Sequence, residues 1–271
     1  MTPRLNHEAR YGIIIPACNE QACLRAVLRE LRDVIDERRF QIVVGINGTD
    51  DMTAQVAREA GVLVAETRQR GYGYGCKCAI DLLVQNVPEV DAFIFFAADG
   101  ANDPRDIMAL VAAHQQGSDL VIGTRTLSSE NRRVMGWPHM LANRMLGWWC
   151  GLLTGRFYSD LGPLRVIDRQ LFDAIGMREW TFGWTIESQI RAALMGARIR
   201  EIPVRERTRV AGEQKVSRVS WLHTLSVGLE ILGAGVRVRL GNQLCKRQAA
   251  IARTSEDPAI QCESLAGDPR S

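Results

Sequence analysis

The chain lacks most of the features by which a specialised protein class declares itself. Seven cysteines are present (Cys18, Cys23, Cys76, Cys78, Cys150, Cys245 and Cys262), an odd number with no CxxC pair. Disulfide frameworks and thiolate zinc sites need paired thiols at regular spacing, so scattered thiols point to a reducing compartment. The four histidines show no HxxxH or HExxH spacing, which removes the usual zinc patterns. No apolar run reaches the ~20 residues that a membrane-spanning helix requires. The best stretch, Val219 to Val238, is broken by His223, Glu230 and Arg237. Met1 to Arg10 is polar and has no apolar centre, unlike a secretory signal. Charge of one sign is also missing: 34 basic residues face 31 acidic ones, for a net +3, so there is no concentrated basic footprint for nucleic acid. The expectation is a cytoplasmic protein that could reach a membrane surface without crossing it.

What is present is ordinary globular composition, with 46% hydrophobic and 24% charged residues over 271 positions. That length suits one large α/β domain or two small ones. Tyr11 to Ile15 reads as a buried strand ending at Pro16. A helix follows from Ala22 to Ile35, with Leu24, Leu28, Leu31 and Ile35 on one face. Gln41 to Ile46 is a second strand, and Asn47 to Asp51 a turn that caps a helix from Thr53 to Ala60, closed by Gly61. Val62 to Val64 is a third strand. Gly71, Gly73 and Gly75 form a glycine-rich loop before a helix from Lys77 to Val84. Strands at Ala92 to Phe96 and Leu120 to Gly123 flank a helix that starts at Asp103-Pro104. This alternation predicts a mostly parallel sheet with helices on both faces.

The second half reads differently. Asn131 to Gly155 is helical and rich in Trp, Met and Leu, and Asp160 to Ile167 is a short extended stretch. Leu171 to Ile175 and Ile186 to Met195 are helical, Ile199 to Val204 is a strand, and Arg205 to Lys215 is a basic loop. Leu222, Leu225, Leu229, Leu232 and Val236 recur at steps of three and four, an amphipathic helix. The expected division is a tail over 1–10, one domain over 11–218, an amphipathic helix over 219–247 and a disordered polar tail over 248–271.

One segment concentrates the chemistry. The apolar run Phe93 to Phe96 stops at Asp99-Gly100-Ala101-Asn102-Asp103-Pro104. Ligands of open α/β sheets bind beyond the carboxyl ends of the strands, and hard cations are held by one or two carboxylates plus substrate phosphates. The same segment also fits a strand followed by an Asx turn. Asn19, Glu20, Asn47 and Arg125 likewise fall just after strands.

Taken together, these segments resemble an inverting family 2 glycosyltransferase of the GT-A (Rossmann-like) fold, in the branch of polyprenyl-phosphate sugar synthases. The resemblance rests on Ile15-Pro16-Ala17-Cys18-Asn19-Glu20, Asn47-Gly48-Thr49-Asp50, Arg70-Gly71-Tyr72-Gly73, Ala98-Asp99-Gly100 with Asp103-Pro104, Gly123-Thr124-Arg125, Asp160 to Arg165, Phe182-Gly183-Trp184 through Glu187, and Gly212 to Ser217. It implies a nucleotide-sugar donor, Mg²⁺ or Mn²⁺, and a lipid-phosphate acceptor of the cell envelope. Pro16, Asn19, Glu20 and Asn47 would lie by the donor, and Gly71, Gly73 and Gly75 would let the backbone approach the nucleotide. Asp99 would hold the metal, helped by Asn102 or Asp103. Arg209 and Lys215 would meet the diphosphate or an acceptor phosphate. Asp160 and Arg165 would stand near the sugar and acceptor, with Arg125 a further substrate-binding candidate and Glu187 where relatives place a catalytic carboxylate. Glu187 would act as base if the acceptor is a hydroxyl, and would orient groups if the acceptor is a phosphate. Each residue also has a plainer reading as a cap, turn or structural ion pair.

Two departures stand out. The family's usual Asp-x-Asp pair is broken by Ala97, and the base-reading Asp is replaced near Ile46. These departures keep open a nucleotide-binding relative without catalysis; transfer to a small soluble acceptor such as a phosphorylated acid is a second alternative, and a nucleotidyltransferase a third, though no basic glycine-rich signature of that class lies near Ile15. The 222–236 helix with its trailing basic residues has two readings, docking on an anionic membrane or packing on the domain itself.

Overall fold

The computed structural model describes residues 9–181, 183–209 and 230–241. Seven strands form one sheet in the order β3-β2-β1-β4-β6-β5-β7. They are β1 (Tyr11–Ala17), β2 (Phe40–Asn47), β3 (Leu63–Thr67), β4 (Ala92–Phe95), β5 (Leu120–Thr124), β6 (Arg165–Asp168) and β7 (Ile199–Pro203). All run parallel except β6, which is antiparallel to both β4 and β5. The strand pattern thus predicts the sheet well, and the extended stretch before Asp168 becomes its reversed member.

Side chains alternate across the central strands and so build two cores. Ile13, Ile15, Ile94 and Phe96 face α1 (Gln21–Arg32) and α4 (Ile107–Gln115), packing with Leu24, Leu28 and Leu110. Ile14, Phe93 and Phe95 face the other way, with Leu83 of α3 (Tyr72–Asn86) and Trp184 and Ile190 of α8 (Trp184–Leu194). The remaining helices are α2 (Thr53–Glu59), α5 (Arg132–Met135), α6 (Trp137–Thr154) and α7 (Arg169–Ile175), and a further helix spans 230–241.

The glycine-rich segment corrects the sequence reading. Only Gly71, with φ +148°, precedes the helix; Gly73 and Gly75 lie inside the first turn of α3. A Cβ on Gly73 would sit 2.7 Å from Trp180 Cα, and one on Gly75 would sit 2.9 Å from Asn47 Oδ1 and 3.0 Å from Pro16 Cβ. Their lack of side chains lets α3 press against β1, β2 and the Trp180 main chain. The space is filled by protein. Among the described residues, no helix is long and apolar enough to cross a membrane.

Candidate active site

β1 connects outward to β2 and β3, while β4 lies on its other side, so the chain reverses direction across the sheet between β1 and β4. Such a switch point opens a crevice beyond the strand ends. Glu20 follows β1 and Asp99 follows β4. The guanidinium of Arg209 reaches over the crevice and pairs with both, donating to Glu20 and lying 3.3 Å from Asp99 Oδ2.

Arg209 is brought there by a stitched run after β7. The Arg205 amide donates to Asp106, Arg207 N donates to Ala101 O at 2.8 Å, and Arg207 Nη2 donates to Asn102 O at 2.8 Å. Asn102 and Glu206 form an isolated antiparallel bridge. The basic segment is therefore an extended tie across the β4 loop as far as Arg209; Lys215 lies outside the described residues.

The loops after β1 and β2 are locked together. Asn19 adopts φ +55°, a left-handed conformation that Asn tolerates better than most residues. Its Oδ1 accepts from Asp50 N at 2.8 Å, and its own N–H donates to Thr49 Oγ1 at 2.7 Å. Asn47 Nδ2 donates to Gly71 O at 3.0 Å. Beside this lock lies a cavity of about 470 Å³ lined by residues including Ile46, Thr49, Asp50, Glu66 and Arg70.

A second charged group sits after β5. Asp160 is fully buried and accepts from Arg125 N and Nε at 2.8 Å and from Arg125 Nη2 at 3.0 Å. A two-pronged pair of this kind fixes both planes. Glu206 lies 3.5 Å from Arg125 through Oε1, while its buried Oε2 has no hydrogen-bond partner among the described residues. Burial pushes the Glu206 carboxyl up to about 7, the nearby Arg125 opposes this, and the charges of Asp99 and Asp160 add to it.

The other expected site residues are committed locally. Asn102 Oδ1 accepts from Ala97 N at 3.0 Å. Asp103 caps the 3-10 turn Pro104–Asp106 and is gripped by Arg105, whose hydrogen bonds hold its carboxyl below the usual range. Neither can turn to an ion without breaking these bonds. Arg165 is buried between β6 and α8, donating to Gly162 O at 3.2 Å and to Ser188 Oγ at 2.9 Å. Glu187 is fully buried: one oxygen accepts from the Arg178 and Glu179 amides at 2.9 and 2.7 Å, and the other from Arg191 Nε at 2.7 Å. It organises the turn before α8, and no oxygen is left to face a substrate.

Sequence reasoning missed Glu206 and Asn131. The buried Asn131 ties β5 to the run after β7 by donating to Arg125 O and Val204 O and accepting from Glu206 N. A lone acid within Arg205, Arg207 and Arg209 was the available signal for Glu206.

Among the described residues no three acidic, histidine or cysteine side chains gather as a metal nest. Asp99 nevertheless has a partly exposed carboxylate, and Glu206 supplies an orphaned buried oxygen in the same charge cluster. An oxygen set of one or two carboxylates fits a hard divalent ion completed by phosphates.

Comparison with known proteins agrees with this geometry. The model of the family described as "Glycosyl transferase family 2" matches residues 12–178. An uncharacterized glycosyltransferase of Mycobacterium tuberculosis is 31% identical over 76% of this chain and 88% of its own length. The undecaprenyl-phosphate mannosyltransferase of Micrococcus luteus is 27% identical over 84% of this chain and 98% of its own. The fold resembles that of glucosyl-3-phosphoglycerate synthase from Mycobacterium tuberculosis solved with uridine diphosphate, with TM-score 0.61, 16% identity, and coverage of 85% of this chain and 80% of that one. The same enzyme has also been solved with Mn²⁺, uridine diphosphate and glucosyl-3-phosphoglycerate. With most of its length matched by the family model, this chain belongs to glycosyl transferase family 2 and is a glycosyltransferase of the GT-A fold.

Proposed function

We propose that this enzyme moves a sugar from a nucleoside-diphosphate donor to the phosphate of a polyprenyl lipid, with inversion at the anomeric carbon. The observation that carries the reading is the Glu20–Arg209–Asp99 cluster across the β1/β4 crevice. Relatives named as polyprenyl-phosphate sugar transferases support the acceptor, including the dolichyl-phosphate hexose transferase of Haloferax volcanii, 27% identical over 76% of this chain.

The cavity beside Asn19, Asn47 and Ile46 is the candidate seat for the nucleoside. With Asp absent near Ile46, Asp50 and Glu66 are the acids available to its base and ribose. Arg209 would then hold the diphosphate, released from its acidic partners to a charge-assisted contact of the same kind. Asp99, with Glu206, would hold a divalent ion such as Mg²⁺ or Mn²⁺, which when bound supplies Lewis acidity to the departing diphosphate.

An acceptor phosphate is already an anion and attacks the anomeric carbon without a general base. Asp160 and Glu187 suit that chemistry: both are buried with their oxygens held by arginine or by amides. They would position neighbouring arginines and turns and would not collect a proton.

The test is incubation of the full chain with labelled nucleotide sugars, Mn²⁺ and undecaprenyl phosphate in detergent. Label should enter the lipid phase and be lost in Asp99→Ala. Transfer to phosphoglycerate but not to the lipid would replace this reading with a soluble acceptor, and nucleotide binding without transfer to any acceptor would refute it.

A further inference from the structure

The face of α6 that points away from the protein is apolar along its whole length. Trp137, Leu141, Met145, Trp148 and Leu152 are 75%, 50%, 63%, 58% and 54% exposed, and Phe157 beyond the helix is 54% exposed. At 100° per residue these five helical positions fall within about 80° of arc, a continuous stripe. The opposite face is satisfied: Met140, Gly147, Cys150 and Gly151 are buried, and a Cβ on Gly235 of the 230–241 helix would meet Leu153 and Trp149 at 3.1 and 3.2 Å. Exposed apolar surface of this extent marks an interaction site.

Charge identifies the partner. From Asn131 to Ser159 the sequence contains no Asp or Glu, but it contains Arg132, Arg133, Arg144 and Arg156. Arg132, Arg133 and Arg144 are exposed, without an acidic partner among the described residues. Arg144 borders the stripe and helps line a cavity of about 480 Å³ with Met145, Trp148, Phe157, Tyr158 and Ser159. A helix with Trp, Leu and Met on one face and Arg144 at its edge, preceded by Arg132 and Arg133 of α5 and followed by Phe157, has the composition that lies in a bilayer interface. A protein partner complementary to three free arginines would need acids facing them, whereas an anionic lipid surface provides that charge everywhere.

We propose that α6 lies in the surface of an anionic bilayer, its stripe among the acyl chains and Arg132, Arg133 and Arg144 at the headgroups. The helix abuts the site, since Arg125 Nη2 lies 3.5 Å from Asn143 Oδ1 on α6. Docking here would bring the Arg125–Asp160 group close to the bilayer surface. It also differs from the 219–247 segment that the sequence offers as a membrane contact. The inference goes beyond the acceptor assignment and does not depend on it.

The experiment is flotation of the full chain with vesicles of phosphatidylcholine, with or without phosphatidylglycerol, in the absence of any polyprenyl phosphate. The protein should float with the anionic vesicles, less so at high salt, and its tryptophan emission should shift to the blue. Trp148→Glu, and separately Arg132→Glu with Arg133→Glu, should each weaken vesicle partition at least about 10-fold, while Met195→Glu, on another exposed apolar residue, should not. Thermal melts verify that each variant is folded. Failure of the wild type to float, or flotation of folded Trp148→Glu like wild type, overturns the proposal. So does a wild-type dimer that Trp148→Glu converts to monomer with flotation unchanged, which would make the stripe a contact between copies. Transfer to a short-chain prenyl phosphate in detergent reports on the acceptor reading separately.

Discussion

Arg209 Nη1 lies 3.3 Å from Asp99 Oδ2 while its Nη2 is bonded to Glu20, so one guanidinium closes the gap between the ends of β1 and β4. Arg209 therefore competes with a divalent ion for the Asp99 carboxylate, and the same guanidinium is placed to meet a diphosphate by charge-assisted contact. The competition has a measurable form. Arg209→Ala should lower transfer by about 10²–10³, the cost of removing one preorganised charge from a transition state. It should also weaken nucleoside-diphosphate binding and leave the melting temperature within a few degrees of wild type. Binding measured by calorimetry with and without Mn²⁺ checks it; unchanged nucleotide affinity would take Arg209 out of the donor site.

Arg125 and Asp160 give the opposite expectation. Asp160 is fully buried, and its carboxylate accepts from the main chain and the guanidinium of Arg125. Removing one member of a buried pair leaves an uncompensated charge and costs about 3–5 kcal/mol. Asp160→Ala should therefore lower the melting temperature by roughly 10 °C, a stability defect as well as a loss of activity. A variant that melts like wild type but transfers no sugar would restore a direct catalytic role to Asp160.

Gly73 carries a steric expectation. The Cβ of Gly73→Ala would come within 2.8 Å of the Trp180 carbonyl carbon and oxygen. Main chain cannot swing aside as a side chain can, so overpacking should cost about 1–3 kcal/mol. Denaturant unfolding measures it. Loss of nucleotide binding without loss of stability would show instead that this position faces the ligand.

How much of this was legible beforehand divides along a physical line. Strands and helices carry their own periodicity, so Ile13 to Ile15, Phe93 to Phe96 and Leu24 to Leu31 declared their faces and the sheet followed. The resemblance read from short motifs predicted the family that the match over residues 12–178 shows. Partnership between distant side chains has no such signature. Nothing near Glu187 announced that the amides of Arg178 and Glu179 would consume its oxygen, and nothing near Arg165 announced Gly162 and Ser188. The glycines were visible, but whether their empty side receives a ligand or the Trp180 main chain depends on a residue about one hundred positions away.

Glu206 yields the pH-dependent test. Its ordinary carboxyl value is 4.5, and burial first, then the Asp99 and Asp160 charges against the opposing pull of Arg125, raise it to about 7 in the folded protein. Between these values the folded state holds a proton that the unfolded chain has released. Stability contributed by that proton is full below about 4.5 and is lost as pH rises through about 7. The whole span is worth about 3 kcal/mol at most. Glu206→Gln keeps the shape and removes the charge, so in EDTA it should melt above wild type at pH 8, with the advantage shrinking steadily towards pH 5. Adding Mn²⁺ should reverse the order at pH 8, because the ion stabilises only the chain that still has the carboxylate to receive it. A wild type that gains no more from Mn²⁺ than Glu206→Gln does would leave Asp99 as the sole carboxylate of the metal site.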